Sequence, residues 1–122
     1  MKKVWILEKF ETHEEMVKFQ NETNEMLESA KANDADDAKT LEEFVTKYNE
    51  VVRNNPNGRW IGFEGKSNYH QFCAVAKDAI HRNPNSKFRV VEGEIREDAK
   101  FWVGYNFVKE NEDVLRYLMS TK

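Results

Sequence analysis

Cysteine occurs once, at Cys73, so neither a disulfide framework nor a thiolate metal cage can form within one copy of the chain. Proline occurs twice, and both copies follow asparagine, at Asn55-Pro56 and Asn83-Pro84. No apolar run approaches the roughly 18 residues that a membrane span needs. The apolar segment at residues 4–7, behind Met1-Lys2-Lys3, is too short for a signal peptide. Arginine is missing from the first 50 residues, as is glycine. A cytoplasmic protein without a membrane partner is the expectation, and 122 residues predict a single domain, 1–122.

What is present is unevenly spread. Residues 1–50 hold 13 acids and 7 bases, whereas residues 51–122 hold 9 acids and 12 bases, including all six arginines and ten of the fifteen aromatics. The net charge of -3 argues against a DNA- or RNA-polymer binder. The division has two compatible readings. The first half is an acidic helical hairpin and the second carries the sheet, or the arginines and aromatics clasp phosphates and stack on bases.

One pattern repeats. Asn55-Pro56-Asn57-Gly58-Arg59-Trp60 and Glu64-Gly65 recur as Asn83-Pro84-Asn85-Ser86-Lys87-Phe88 and Glu92-Gly93. Each copy reads as a helix stopped by Asn-Pro, then a strand, then Glu-Gly, because proline cannot continue a helix and the residue before it avoids helical dihedrals.

Around this frame the pattern predicts a strand at 3–10 with apolar residues on both faces. A helix opens at the Thr12/Glu15 capping box, with Met16, Phe19, Met26, Leu27 and Ala30 on one side. A second helix opens at Thr40/Glu43 after the acidic break at 32–37. A strand at 59–64 and a helix capped by Ser67 follow. A strand at 88–95 is expected to be bulged at Gly93, where the inward parity changes. A long strand at 100–108 and a short helix near 111–119 complete the chain. The fold class is α+β, a mixed four-stranded sheet with an N-terminal helical hairpin, in the order β-α-α-β-α-β-β-α. The unit at 59–93 suggests a parallel crossover.

No catalytic set and no metal set stands out. Ser67, His70 and Cys73 fall at spacing three on one helix, with no acid fixed to orient the imidazole. His13, His70 and His81 lack metal-ligand spacing. Glu92, Glu94 and Asp98 read as a solvated face. Neither a cofactor nor a catalytic residue is expected. Gly65-Lys66-Ser67 stands between a strand and a helix N-terminus, where an anion is favoured. The remaining candidates are the ligand-binding set Arg59, Tyr69, His70, Arg82, Arg89, Trp102, Tyr105 and Asn106. Trp102 is either a subunit contact or a stacking platform.

The opening strand Met1-Lys2-Lys3-Val4-Trp5-Ile6-Leu7, the long helical hairpin and the compact second half ending in the 100–108 strand together resemble the small phage anti-Thoeris sponge proteins. The resemblance is one of layout and carries over no binding residue. It implies a homo-oligomer that sequesters a small cyclic nucleotide signal, a cyclic ADP-ribose isomer, without cleaving it. The alternative expectation is an inhibitor that binds a host or defence enzyme through the acids of the hairpin, Glu22, Glu25, Glu28, Asp34, Asp36 and Asp37.

Overall fold

The computed structural model describes residues 1–120. The elements follow the expected order: β1 (Lys2–Glu11), α1 (His13–Ala32), α2 (Ala38–Asn54), β2 (Arg59–Lys66), α3 (Tyr69–Arg82), β3 (Phe88–Ile95), β4 (Asn106–Glu110) and α4 (Glu112–Ser120). The chain divides into two compact units, 11–59 and the remainder, 1–10 with 60–122. Among the described residues, no helix is long and apolar enough to cross a membrane.

The sheet has the order β2-β1-β3-β4. β1 and β3 pair antiparallel in unbroken register from Lys2↔Ile95 to Lys9↔Phe88, and β3 and β4 pair antiparallel. Phe10 meets Trp60 edge-on and Ile6 lies beside Gly65, so β2 runs opposite to β1 as well. β2 and β3 therefore point the same way, but β1 lies between them, so the four-stranded sheet is antiparallel throughout rather than mixed as expected.

β1 is central because both its faces are apolar. Leu7 packs with Val90, Phe88, Phe72, Ala76, Ile80 and Leu118 under α3 and α4. Val4 and Ile6 pack with Val91 and Ile95 on the other face, beneath Ala99, Trp102 and Tyr105. α3 buries Phe72, Ala76, Ala79 and Ile80, one stripe of a 3.6-residue period.

The repeat forms the same turn twice. Asn55 and Asn83 have nearly equal dihedrals, φ -128 and -126, ψ 64 and 63. Each side-chain amide donates to the carbonyl four residues back, Val51 at 2.7 Å and Ala79 at 2.8 Å. Helix carbonyls left without a backbone donor are satisfied in this way. The copies differ at the fourth position, where Gly58 adopts φ +88, a conformation that favours glycine.

Several local expectations are corrected. Asn68, not Ser67, caps α3, accepting from the Gln71 N–H. α2 begins before Thr40, with Asp37 at its N-cap; the Leu41 N–H bonds to the Asp37 carbonyl, so Thr40 is already inside the helix. The Thr12/Glu15 box forms as expected. The register shift does occur at Glu92/Gly93, but Glu92 faces Lys109 and Gly93 faces Phe107. The extra residue is thus Val108 on β4. The expected strand at 100–108 is reduced to 106–110, because residues 100–105 turn through Gly104 at φ +80.

In the helical unit, α1 and α2 pack as a hairpin around Met16, Tyr48 and Val52. Gln20 donates to Asn49 across the seam at 3.0 Å. The expected apolar side of α1 is only partly buried, with Phe19 and Met26 exposed at 42% and 58%. Phe19 instead packs edge-on against Phe44 and Tyr48.

A buried carboxylate ties the sheet to α4. Glu92 is 7% exposed and meets Lys3 Nζ at 2.7 Å, Lys109 Nζ at 3.6 Å and Asn111 Nδ2 at 2.9 Å. Asn111 in turn caps α4 by accepting from the Val114 N–H. Burial alone pushes the Glu92 pKa up, but the Lys3 and Asn111 hydrogen bonds and the two ammonium charges outweigh it and hold the pKa below 4.5. The unfolded chain therefore takes up a proton first as pH falls. The Glu92 contribution to stability is complete above about pH 4.5 and is lost as pH falls through the lower folded value. Urea melts from pH 3 to 7 should show this acid loss in the wild type and a flatter acid limb in Glu92→Gln. An unchanged limb in the variant would assign the acid loss to other groups.

Candidate functional site

The predicted ligand residues separate into distinct places. Arg59 is bound to Glu11, Nε to Oε1 at 2.9 Å, with its guanidinium 5.9 Å from the Tyr48 ring. Tyr69 opens α3, its ring 4.9 Å from Trp5. Its hydrogen bond with Cys73, then its burial, push the phenol pKa up. His70 is exposed beside it. Arg82 is exposed and pairs with Asp78 at 3.1 Å on the same helix. These four do not share a pocket.

Arg89, Trp102 and Tyr105 do come together, on the sheet face opposite α3 and α4, and Asn106 follows as the exposed first residue of β4. At their centre is Glu8, 5% exposed. One oxygen accepts from Arg89 Nε at 2.5 Å and the other from the Tyr105 hydroxyl. Arg89 also stands 4.6 Å from the Trp60 ring and 5.4 Å from the Phe107 ring. Burial, then the Glu8 hydrogen bond and charge, push the Tyr105 pKa well up. Every charge in this group is answered within the group, so it reads as an internal polar clamp rather than an open phosphate clasp.

Trp102 is half-buried. Its indole lies over two glycines of β2. A Cβ at Gly62 would come 2.6 Å from Trp102 Cζ3, and one at Gly65 would come 2.6 Å from Cδ2. Three residues apart on a strictly alternating strand, these glycines would face opposite ways, so β2 is irregular where the ring settles. The indole pins the segment 96–105 across the sheet.

Beside that indole a cleft of about 180 Å³ opens. Lys2 from β1, Lys66 from the end of β2 and Lys100 from the pinned segment all line it. Ser67 and Gln71 supply polar walls, and Val4, Ile95 and Trp102 supply apolar ones. Among the described residues no acid lines it, in a chain that has 22. Lys2 Nζ reaches the Ala99 carbonyl at 3.5 Å. Among the described residues, neither Lys66 nor Lys100 has a carboxylate within ion-pair distance. Three lysines lining one cleft favour an anion there and raise its local concentration.

The Gly65-Lys66-Ser67 segment was legible as an anion candidate, but Lys2 and Lys100 were not. They lie 64 and 34 residues from Lys66 in sequence, and only the placement of β1 between β2 and β3 joins them. Among the described residues, no group of three His, Cys, Asp or Glu side chains is arranged to hold a metal ion. Comparison with protein-family models, with curated proteins and with solved structures gives no match for this chain.

Proposed function

We propose that this protein binds a small phosphorylated ligand of the cyclic nucleotide type, such as a cyclic ADP-ribose isomer, and sequesters it without turnover, countering a host antiphage defence from the host cytoplasm. The observation that carries the reading is the acid-free cleft with Lys2, Lys66 and Lys100 on its walls. Capture rather than chemistry is supported by the composition of that lining. Among the described residues it offers lysines, an amide and a hydroxyl but no imidazole, thiol or carboxylate. A sponge needs complementarity to the intact ligand rather than to a transition state.

The cleft is smaller than the roughly 300–1,000 Å³ of pockets that enclose a whole drug-sized ligand. It therefore suits the phosphates, with the rest of the molecule lying across the rim or against a second copy. A homo-oligomer is supported by the exposed Val103, Phe107 and Val108 nearby, at 74%, 54% and 51%.

The test is to equilibrate the protein with cyclic ADP-ribose isomers, remove free ligand, denature, and analyse what is released. Intact ligand is expected. Lys66→Glu and Lys100→Glu should each weaken binding at least about tenfold, since a reversed charge a few ångströms from a phosphate costs on the order of 1–4 kcal/mol. Both side chains are exposed, so melting should move by less than about 2 °C. Release of a hydrolysed product, or full affinity in both variants, would overturn the reading.

A second reading is an inhibitor that docks through the hairpin. It is favoured by Phe19, Phe44 and Met26, exposed at 42%, 45% and 58% on the acidic α1–α2 unit. Under that reading the Lys66 and Lys100 variants retain full inhibitory activity.

A further inference from the structure

The sequence left Trp102 as a subunit contact or a stacking platform. Trp102 is half-buried and lies against Gly62 and Gly65, so one face of its ring is occupied. Phe101 is not seated in this way. It lines the cleft together with Lys66 and Lys100, yet it is 73% exposed, the most exposed aromatic ring among the described large hydrophobic residues. Among the described residues, neither an aromatic ring nor a cation stacks against it. The backbone on either side is constrained: Trp102 is seated next to it, and the Ala99 carbonyl takes Lys2 Nζ at 3.5 Å. An aromatic ring held at the mouth of a cationic cleft with one face open is a stacking surface for a planar group attached to the anion.

We infer that Phe101 is the specificity-determining residue of this cleft: the lysines take the phosphates, and the Phe101 ring stacks on the planar base joined to them. The ligand class narrows accordingly, from phosphorylated small molecules in general to those that carry a planar heterocycle within reach of a phosphate pair. This inference rests on the cleft's being the binding site. Stacking of one base on one aromatic side chain corresponds to about 5- to 150-fold in affinity.

The experiment compares two probes, inorganic pyrophosphate and ADP, by titration calorimetry on the full chain. The wild type should bind ADP at least about fivefold more tightly than pyrophosphate. Phe101→Ala should erase that preference while leaving pyrophosphate affinity unchanged, and Phe101→Trp should retain it. Lys66→Gln should weaken both probes together. The exposed position of Phe101 leaves folding intact in both variants, which far-ultraviolet circular dichroism checks. An ADP-to-pyrophosphate ratio unaltered by Phe101→Ala overturns the inference and leaves the cleft standing. So does a changed oligomeric state in Phe101→Ala with the ratio unaltered, which would make Phe101 a contact between copies. Failure of the wild type to bind either probe overturns both the inference and the reading beneath it.

Discussion

Glu8→Ala is expected to destabilise this protein by about 3–5 kcal/mol, because removing one partner of a buried ion pair leaves the other uncompensated. Glu8 is 5% exposed on the central strand, and its carboxylate answers Arg89 and Tyr105 together. Without it, a guanidinium whose side chain is only 22% exposed is left between the Trp60 and Phe107 rings with no counter-charge. The Tyr105 hydroxyl loses its acceptor at the same time. Small domains have about 5–15 kcal/mol in all, so the melting temperature should fall by roughly 10–25 °C.

Tyr105→Phe supplies the contrast. It removes one donor and keeps the Arg89–Glu8 pair, so about 1–2 kcal/mol is expected. In the Glu8→Ala background the same change should cost less, since the hydroxyl has already lost its acceptor. Thermal melts of the four proteins decide the matter. A Glu8→Ala melting temperature within about 2 °C of wild type would mean that water already serves these groups and the clamp is not internal. The clamp also bears on function. An arginine engaged by a buried carboxylate is poorly placed to clasp a phosphate, whereas among the described residues Lys66 and Lys100 have no such competitor.

The elements that were legible in the sequence are those set by neighbours a few residues away. The Thr12/Glu15 box, both Asn-Pro stops and the two-faced apolar pattern of β1 are local patterns, and each appears where it was expected. Local patterns were also the source of the errors. Phe101, Trp102 and Val103 have strand-forming side chains, but they lie on a turn because Trp102 finds its seat on β2, some 40 residues away in sequence. Ser67 and Asn68 are both capping residues one position apart, and composition does not choose between them. The polar clamp and the cleft were hidden for a common reason. Glu8 meets Arg89 and Lys2 approaches Lys100 only once β1 has inserted between β2 and β3, and no spacing along the chain encodes that order. The arginines therefore drew attention as phosphate ligands, although Arg59, Arg82 and Arg89 are already paired with carboxylates, and His70 lies outside the cleft lining.

Gly65→Ala is expected to unseat the segment that carries half of the cleft. Gly65 is not at a positive φ, so its backbone tolerates a side chain; what it lacks is room. A Cβ there would stand 2.6 Å from Trp102 Cδ2 and 2.8 Å from Ile6 Cδ1. Ile6 is fully buried in the central strand and has little freedom to yield, so the rigid indole must lift. Overpacking of this kind costs about 1–3 kcal/mol, or roughly 5–15 °C in melting temperature. The functional loss should be larger in proportion, because Lys100 and Phe101 flank the displaced ring, and ADP affinity should fall at least about tenfold. The diagnostic is the sign of the coupling. Trp102→Ala alone is destabilising, since it uncovers Val4, Ile6 and Val91. Once the indole is gone, however, adding the Gly65 methyl should cost clearly less than it does in the wild type, because only the contact with Ile6 Cδ1 at 2.8 Å remains. An equal cost for Gly65→Ala in both backgrounds would show that Trp102 is not what the glycine accommodates, and the seat of the 96–105 segment would have to be sought elsewhere on the sheet.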